Sequence, residues 1–274
     1  MMVGPKALAP PLPCRVWFDA PAEGAWNMAV DEALGEAAAE SGIATLRFYG
    51  WSQPTLSFGY FQNYDERRAH PASANCAVVR RASGGGAILH DRELTYSLAL
   101  PCPERAIGDA PELYLAVHGA LVATLAEWAI AGTVRPAASP TAIMKPKFEI
   151  SNLKSQISNP QSPPFLCFQR HALGDVLIGG TKIGGSAQRR RRGAVLQHGS
   201  VLLERSALAP ELAGIRDLTG VGVSPSDLAR RWVERLTKGL GFEAHPCELS
   251  PAESARAEQL AGEKYGQDIW THRR

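Results

Sequence analysis

Three consecutive glycines, Gly84–Gly86, interrupt a stretch that otherwise has the composition of β-strands. The segment CAVVRRAS precedes them, and AILH and ELTYSLALP follow them. Such a run weakens a strand, because glycine adds conformational freedom and brings no side chain to pack. A bulge or a tight turn would explain it, but we favour a ligand that lies flat against the backbone and accepts hydrogen bonds from its N–H groups.

Helical and extended patterns alternate along the chain. Helices are expected in the short segment YDERRAH and over 24–40, 110–130, 224–241 and 250–266. Strands are expected over 44–51, 55–62, 76–83, 84–90 and 93–101. Two further strands, DVLIGGTKIGGSAQRR and GAVLQHGSVLLER, flank an arginine-rich turn. These elements predict an α+β domain, with a mostly antiparallel or mixed sheet, and a small helical C-terminal part.

Changes in composition divide the 274 residues. Residues 1–13 are rich in proline and are expected to be flexible, residues 14–222 form the main domain, and residues 223–274 form the helical extension. Inside the main domain, the tract 144–164 is polar, contains prolines and lacks a clear period. We expect this tract to be a mobile insertion.

The bulk composition argues against several classes of function. A net charge of +2 with 20% charged residues gives no reason to expect general binding of nucleic acid or membranes. No apolar run could span a bilayer and the first residues lack a signal-peptide core, so we expect a cytoplasmic protein. The five cysteines are scattered and contain no C-x-x-C pair, which argues against a disulfide framework and a zinc site.

The residues that flank the triple glycine are candidates for ligand contact. Arg80 and Arg81 could face an anionic group, although one of them could equally be a solvated strand residue. His90 and Asp91 fit a turn that is closed by a hydrogen-bonded side chain. A metal role is less favoured, because no further ligand has matching spacing.

A single lysine, Lys182, stands in the glycine-rich strand GGTKIGGSAQ. Such a lysine either reaches solvent along the strand surface or points into a pocket. The small residues nearby, Gly184, Gly185, Ser186 and Ala187, leave room for a substrate beside it. This spacing favours the pocket.

Cys167 lies where the polar tract gives way to a glycine-rich pattern. A thiolate is a good nucleophile for acyl groups, and a nearby cation such as Lys182 or His198 would favour the thiolate. A cysteine of this kind is nevertheless more often a small structural residue. The residues by themselves therefore leave both roles open.

The run QRRRRG, residues 188–193, falls between the last two predicted strands. It is either a solvated hairpin turn or a docking site for an acidic partner, and the sequence favours neither. RNA binding is less favoured, because no aromatic residues are interleaved with the arginines.

Together, these motifs resemble the lipoate- and octanoate-transferring branch of the biotin/lipoate protein ligase family. The matching segments occur in order through most of the chain and are NMAVDEAL, LRFYGWSQPTLSFGYFQN, VRRASGGGAILHDRELTYSLALP, GTKIGGSAQRRRRGAVLQHGSVLL and ELSPAESARAEQLAGEKYGQDIW. Agreement over so many separate segments is far more specific than one glycine motif. The resemblance implies the α+β catalytic fold of that family, which is shared with class II synthetase cores.

Two details resemble the cysteine-dependent octanoyltransferases of the family more than its ATP-using ligases. The segment RELTYS, which follows Asp91, lacks the glycine-asparagine step that is typical of the ligases. Cys167 also stands about where a transferase nucleophile belongs, fifteen residues before Lys182. The next residues, QRHALGD, depart from the expected pattern and put Arg170 and His171 close to the nucleophile in sequence.

The resemblance implies a two-step transfer. Cys167 would take an octanoyl group from acyl carrier protein as a thioester, and a lysine of a lipoyl domain, such as that of the glycine-cleavage H protein, would receive it as an amide. Lys182 would contact the acyl carbonyl and hold the thiolate, with His171 as the other candidate for activating Cys167. We expect a monomer that uses no metal, ATP or other cofactor. The implied substrate-binding residues are Arg80, Gly84, Gly85, Gly86, His90, Gly184, Gly185, Ser186, Ala187 and His198.

Other functions fit the same motifs. The main alternative is an ATP-dependent lipoate-protein ligase, whose activity would not depend on Cys167. An amidotransferase that moves the acyl group between lipoyl domains differs only in its donor. A non-catalytic protein could bind acyl carrier protein or lipoyl domains without reacting, and a biotin ligase fits the whole chain less well.

Overall fold

An eight-stranded mixed sheet forms the centre of the fold. The computed structural model describes residues 11–102, 110–136, 164–191 and 193–274. The strands in these ranges are β1 (Leu12–Phe18), β2 (Ala44–Tyr49), β3 (Thr55–Phe58), β4 (Ala77–Arg80), β5 (Ile88–His90), β6 (Glu93–Pro101), β7 (Gly132–Val134), β8 (Val176–Ile178), β9 (Thr181–Arg191), β10 (Ala194–Leu202) and β11 (Phe242–Pro246). The α-helices are α1 (Gly24–Ser41), α2 (Ala110–Leu125), α3 (Ile215–Thr219), α4 (Pro225–Leu240), α5 (Pro251–Leu260) and α6 (Asp268–Thr271).

The strand order of the large sheet is β11-β1-β2-β6-β10-β9-β8-β7. β1 pairs in parallel with β11 and β2, and the other neighbours are antiparallel. A smaller sheet has the order β4-β3-β5. An isolated parallel bridge between Ala87 and Leu166 joins the segment before Cys167 to the chain that enters β5. Mixed sheets with packed helices confirm the predicted α+β class.

Helices cover both faces of the large sheet, which explains why β6 and β10 are buried along nearly their whole length. Leu98 of β6 packs in the core that contains α2 and α4, whereas its neighbour Ala99 packs in the core that contains α1 and α5. Successive side chains of a strand point to opposite faces, so a strand covered on both sides must be apolar throughout. The sequence ELTYSLALP meets this requirement with few charged residues.

The two long C-terminal helices begin where the sequence predicts. Ser224 and Ser250 each accept a hydrogen bond from the backbone N–H three residues later, and a proline follows each serine. α4 ends at Gly241, whose φ of 69° lies in the left-handed region. None of the helices within the described ranges is both long and apolar enough to cross a membrane.

Glycine turns make several strands shorter than predicted. The segment 175–190, expected to be one strand, contains both β8 and β9, because Gly179 and Gly180 turn the chain with φ values of 56° and 84°. The expected strand 84–90 is reduced to β5, which leaves the triple glycine outside the sheet. The expected strand 55–62 ends at Phe58, before Gly59.

The structure also changes three expectations about the ends and loops of the chain. Leu12 and Pro13, expected to be flexible, belong to β1, and the C-terminal part contributes β11 to the large sheet as well as helices. Arg191, expected in the turn after the predicted strand 175–190, is the last residue of β9. Residues 1–10 and 144–163, which hold the rest of the expected flexible segments, lie outside the described residues.

Trp232 of α4 is fully buried against the large sheet. Its ring lies 5.6 Å from that of Phe48 and 4.8 Å from that of Tyr96, between centroids, and its N–H donates to the carbonyl of Val117. We expect Trp232→Ala to lower the free energy of unfolding by about 3–5 kcal/mol, through lost contacts and the cavity left behind. Urea denaturation measures the change, with Ile269→Ala as control because Ile269 is 84% exposed. Equal stability of the two variants would contradict this packing.

Candidate active site

A pocket lies where the triple glycine, β9 and β10 meet. Its mostly apolar or small lining residues are typical of a small-molecule site. All but three of the predicted site residues line it; Arg80, Gly86 and Gly184 do not. The lining residues are Met28, Tyr49, Trp51, Arg81, Gly84, Gly85, Ile88, His90, Thr95, Cys167, Phe168, Lys182, Gly185, Ser186, Ala187, His198, Gly199 and Ser200.

Cys167 stands at the wall of this pocket, at the start of a short 3₁₀ turn that ends at Gln169. Its backbone N–H donates to the carbonyl of Ala87 over 2.7 Å, and its side chain is partly exposed. A β-carbon on Gly86 would lie 3.2 Å from both the N and the Cα of Cys167. Gly86 thus lacks a side chain because the backbone of Cys167 passes against it, and not because it lines the pocket.

Lys182 places its ammonium next to the thiol. Its Nζ lies 4.0 Å from Sγ of Cys167 and 3.0 Å from a carboxylate oxygen of Asp175. It also lies 3.4 Å and 3.3 Å from the backbone oxygens of Cys167 and Arg170. Because Lys182 is only 5% exposed, its charge acts on the sulfur with little screening by solvent.

Two glycine positions make room for this arrangement. A β-carbon on Gly185 would lie 2.8 Å from Cε of Lys182 and 3.2 Å from Oδ1 of Asp175. Gly184 faces the other way, because its β-carbon would lie 3.1 Å from Cβ of Val176. The two glycines of the KIGG motif therefore make room for different neighbours. Gly185 leaves room for the side chain of Lys182, and Gly184 leaves room for Val176 of β8.

Arg81 is a second cation in the pocket wall. Its guanidinium donates to the carbonyls of Gly84 and Gly86, over 3.1 and 2.9 Å, and to the carbonyl and hydroxyl oxygens of Ser57, each over 2.7 Å. Among the described residues these partners are neutral, so no carboxylate cancels its charge. Burial lowers the pKa of Arg81 to about 10, and the negative charge of Cys167 opposes that change. Arg81 is therefore charged at neutral pH and acts electrostatically on the sulfur.

Arg80, predicted to bind substrate, has a different position. It is fully buried and donates to the carbonyls of Gly59 and Gln62, over 2.9 and 2.7 Å, and to that of Thr271 over 2.9 Å. These bonds hold the turn after β3 against the end of the chain. Neighbouring side chains of a strand point to opposite sides. Because Arg80 points away from the pocket, the next residue, Arg81, points into it.

His90 supports the triple glycine through Arg81. Its Nε2 lies 2.8 Å from the Ser57 hydroxyl, which accepts from Arg81, and its Nδ1 lies 3.0 Å from a carboxylate oxygen of Glu93. Its ring stacks on Trp51 with centroids 3.9 Å apart. Burial lowers the pKa of His90 despite the neighbouring Glu93, so the ring is neutral at neutral pH. His90 thus lines the pocket, and its hydrogen bonds reach the triple glycine through Ser57 and Arg81.

His198 lies between a hydroxyl and a carboxylate. Its Nδ1 donates to Asp31 over 3.1 Å, and its Nε2 contacts the hydroxyl of Ser83. The order Ser–His–Asp is that of a hydrolase triad. Ser83 is only 2% exposed and does not line the pocket, so its hydroxyl has no access to a substrate.

Asp31 is the anion of this group, and sequence reasoning missed it. It pairs with Arg47 over 3.0 Å and accepts from the Tyr49 hydroxyl over 2.8 Å. Burial alone would raise the pKa of Asp31, but the hydrogen bond from His198 and the charge of Arg47 hold that pKa below its ordinary value. The helical segment NMAVDEAL carried the signal, because an acidic residue on the buried face of a helix needs a partner.

His171, the other candidate for activating Cys167, is exposed and does not line the pocket. Ser186 does line it, and its hydroxyl lies 2.6 Å from both the Tyr96 hydroxyl and Nε2 of His118.

Asp175, the carboxylate partner of Lys182, is a second residue that the sequence analysis missed. Asp175 follows a glycine in the segment HALGD, at the start of a strand. Nothing in that segment predicts an ion pair with Lys182.

The comparison with known families matches most of this chain. A family model described as "Lipoyl protein ligase A/B catalytic domain" covers residues 23–217, which include every residue of the pocket. The chain belongs to this family. Four of the five segments quoted from the sequence contribute residues to the wall of this pocket, and the segment 248–270 does not.

Similar family members are known by sequence and by structure. The octanoyltransferase LipM of Kyrpidia tusciae is 33% identical over 91% of this chain and 95% of its own length, and LipM of Bacillus subtilis is 32% identical over 91% and 94%. A lipoate-protein ligase A bound with ATP has a TM-score of 0.73 at 20% identity, covering 95% of this chain and 99% of its own. A bi-partite lipoate protein ligase from Thermoplasma acidophilum has a TM-score of 0.71 at 20% identity, covering 95% and 96%. The structures confirm the predicted fold, and the sequences confirm the predicted resemblance.

The lowered pKa of Asp31 predicts a loss of stability in acid. Because the folded state favours the ionised carboxylate, this contribution is present above about pH 4 and is lost as the pH falls through the lower folded pKa. We expect Asp31→Asn to be less stable than the wild type at pH 7 and to lose less stability between about pH 5 and 3. Urea unfolding across this range tests it, with the exposed Glu258→Gln as control. Parallel pH profiles for the wild type and Asp31→Asn would contradict the assignment.

The fit of Lys182 against Gly185 predicts the effect of one added methyl group. We expect Gly185→Ala to displace the ammonium from the sulfur and to slow alkylation of Cys167 by iodoacetamide about tenfold, the factor that ~1.4 kcal/mol produces. Peptide mass spectrometry measures the modification at Cys167 separately from the other cysteines. Gly239→Ala is the matched control, because a β-carbon there has nothing within 4 Å. An unchanged rate in Gly185→Ala would show that the lysine does not activate the thiol.

Proposed function

We propose that this protein is an octanoyltransferase of protein lipoylation in which Cys167 carries the acyl group as a thioester. The observation that carries the proposal is the thiol of Cys167, 4.0 Å from the ammonium of Lys182, at the wall of a pocket with apolar lining. The similarity over nine-tenths of the chain to octanoyltransferases named LipM supports the same reaction.

In the first step, the Cys167 thiolate attacks the thioester carbonyl of octanoyl-acyl carrier protein. A carbon–sulfur bond forms to Cys167, the carrier's carbon–sulfur bond breaks, and the carrier thiol leaves with the proton that Cys167 gave up. One thioester replaces another, so the step needs no ATP. In this proposal the protein acts as a cytoplasmic monomer, and residues 14–222 form its catalytic domain.

In the second step, the amine of a lysine on a lipoyl domain attacks the Cys167 thioester. An amide bond forms, the carbon–sulfur bond breaks, and a proton from the amine returns to the sulfur. The thiol is regenerated, and the amide product is more stable than the thioester.

Lys182 is placed to act in both steps. An ammonium group has three N–H donors, and the partners of Lys182 are the Asp175 carboxylate and two backbone oxygens. Its longest bond to an oxygen, 3.4 Å to the carbonyl of Cys167, is the one most easily exchanged for a bond to the developing oxyanion. The unpaired charge of Arg81 would add to the positive field around the sulfur.

The pocket suits the octanoyl chain. Met28, Trp51, Ile88 and Phe168 give it apolar walls, and Ala187 with the neighbouring glycines leaves room between them. Each buried methylene contributes about 0.8 kcal/mol to binding, so an eight-carbon chain gains substantial affinity from this lining.

Intact-mass spectrometry tests the proposed reaction. We expect an octanoyl adduct, labile to hydroxylamine and mapping to Cys167, after mixing with octanoyl-acyl carrier protein without ATP. Cys167→Ala should prevent the adduct and lower transfer to a lipoyl domain by about 10³-fold or more, as removal of a nucleophile does. Cys247→Ala, which removes another partly exposed thiol, should leave both unchanged.

Two results would overturn the proposal. Transfer that requires ATP with free octanoate or lipoate, and that Cys167→Ala retains, would identify a ligase. Binding of acyl carrier protein or a lipoyl domain without any adduct would identify a non-catalytic binding protein.

A further inference from the structure

A basic and aromatic surface lies beside the triple glycine. We call it the entrance patch and define it as Tyr60, Phe61, Arg273 and Arg274. The guanidinium carbon of Arg273 lies 4.3 Å from the ring centroid of Tyr60, and that of Arg274 lies 5.3 Å from the ring centroid of Phe61. Both arginines are exposed, and Phe61 is 69% exposed.

The entrance patch is in direct contact with the pocket wall. The N–H of Tyr60 donates to the carbonyl of Ser83 over 2.8 Å. The Phe61 ring lies over Gly84, since a β-carbon on that glycine would be 3.8 Å from Cδ2 of Phe61. Gly84 lines the pocket, so a molecule that enters beside the triple glycine passes the entrance patch first.

Buried hydrogen bonds fix the entrance patch in place. Arg80 bonds the carbonyls of Gly59 and Gln62 on one side and that of Thr271 on the other. The N–H of Tyr64 donates to the backbone oxygen of Arg274 over 2.8 Å. The aromatic and basic halves of the patch are about two hundred residues apart in sequence. These hydrogen bonds hold the two halves together as one preorganised surface.

The charges of the entrance patch are available to a partner. In the described parts of the chain, neither Arg273 nor Arg274 pairs with a carboxylate; each lies on an aromatic ring instead. The nearby Glu66 accepts a hydrogen bond from the neutral side chain of Gln62, and its charge opposes that of the two arginines at Arg80. The charges of Arg273 and Arg274 also reach the buried Arg80, whose pKa is lowered mainly by burial and further by them.

We propose that the entrance patch docks acyl carrier protein, the donor of the proposed function on which this inference rests. The donor presents its thioester at the end of a phosphopantetheine arm, so the thioester must reach Cys167 while the phosphate and the acidic protein surface stay outside. The entrance patch offers cations and an exposed aromatic ring at that outer position. Arginine and aromatic side chains are the residues most enriched where proteins recognise each other.

The arginine run of β9, for which the sequence left a docking role open, is less suited to binding acyl carrier protein. The side chain of Arg189 donates to the carbonyl of Ala82, and that of Arg191 pairs with Glu32 over 2.7 Å. These two arginines are thus already engaged within the fold. Docking through the entrance patch instead uses guanidinium groups that have no such partner among the described residues.

The test compares two donors in single-turnover acylation of Cys167. We expect Arg273→Ser/Arg274→Ser to slow acylation by octanoyl-acyl carrier protein about 5- to 10-fold at low salt, and to flatten its dependence on ionic strength. Acylation by octanoyl-N-acetylcysteamine, a neutral thioester without phosphate or protein, should be unchanged because the catalytic residues are intact. Arg205→Ser/Arg230→Ser is the matched control, with the same change of charge at other exposed positions.

A binding measurement separates this proposal from the proposed function. Titration calorimetry with holo-acyl carrier protein needs no reaction, and we expect the dissociation constant to rise about 5- to 10-fold in Arg273→Ser/Arg274→Ser. Equal binding by the wild type and this variant would overturn the docking role, whether or not Cys167 is acylated. Slower transfer from preloaded enzyme to the lipoyl domain, with unchanged loading, would assign the entrance patch to the acceptor instead and would also overturn it.

Discussion

The close approach of two backbone segments, 84–87 and 164–170, is the constraint on which the pocket depends. Cys167 bonds Ala87 through the main chain, and Gly86 has no side chain to keep the segments apart. Arg81 fixes the other side of the triple glycine by bonding the carbonyls of Gly84 and Gly86. The position of the thiol is thus set by backbone contacts, which are less variable than the rotamers of a long side chain.

Two cations, Lys182 and Arg81, act on the sulfur of Cys167 in different ways. Lys182 is paired with Asp175, so much of its field is cancelled, but it is close and its donors can turn toward a substrate oxygen. Arg81 bonds only neutral oxygens among the described residues, so its charge is not cancelled locally, but its bonded donors are directed at backbone carbonyls and the Ser57 hydroxyl. Lys182 can therefore form a bond to the substrate, whereas Arg81 supplies a constant electrostatic potential.

Most residues predicted from the glycine runs and the lone lysine lie around one pocket, whereas the limits of the strands around them differ from the prediction. Glycine runs and a lone lysine in an apolar strand mark places where something must approach the backbone, and both predictions led to the pocket. Strand limits were less predictable, because other glycines end strands: Gly59 follows β3, and Gly179 and Gly180 separate β8 from β9. Which of Arg80 and Arg81 faces the pocket depends on strand phase, and that phase is set by tertiary contacts such as the bond from Arg80 to Thr271.

The anchoring of residues 268–274 has a practical consequence for handling the protein. These residues reach the turn after β3 through Arg80, and Arg274 bonds Tyr64 beside the opening. A fusion tag attached directly after Arg274 would emerge next to the acyl site and could obstruct large substrates there. β1, near which the described chain begins, lies three positions from β10 in the strand order, so the N-terminal side is the better choice for an affinity handle when material is purified for assays.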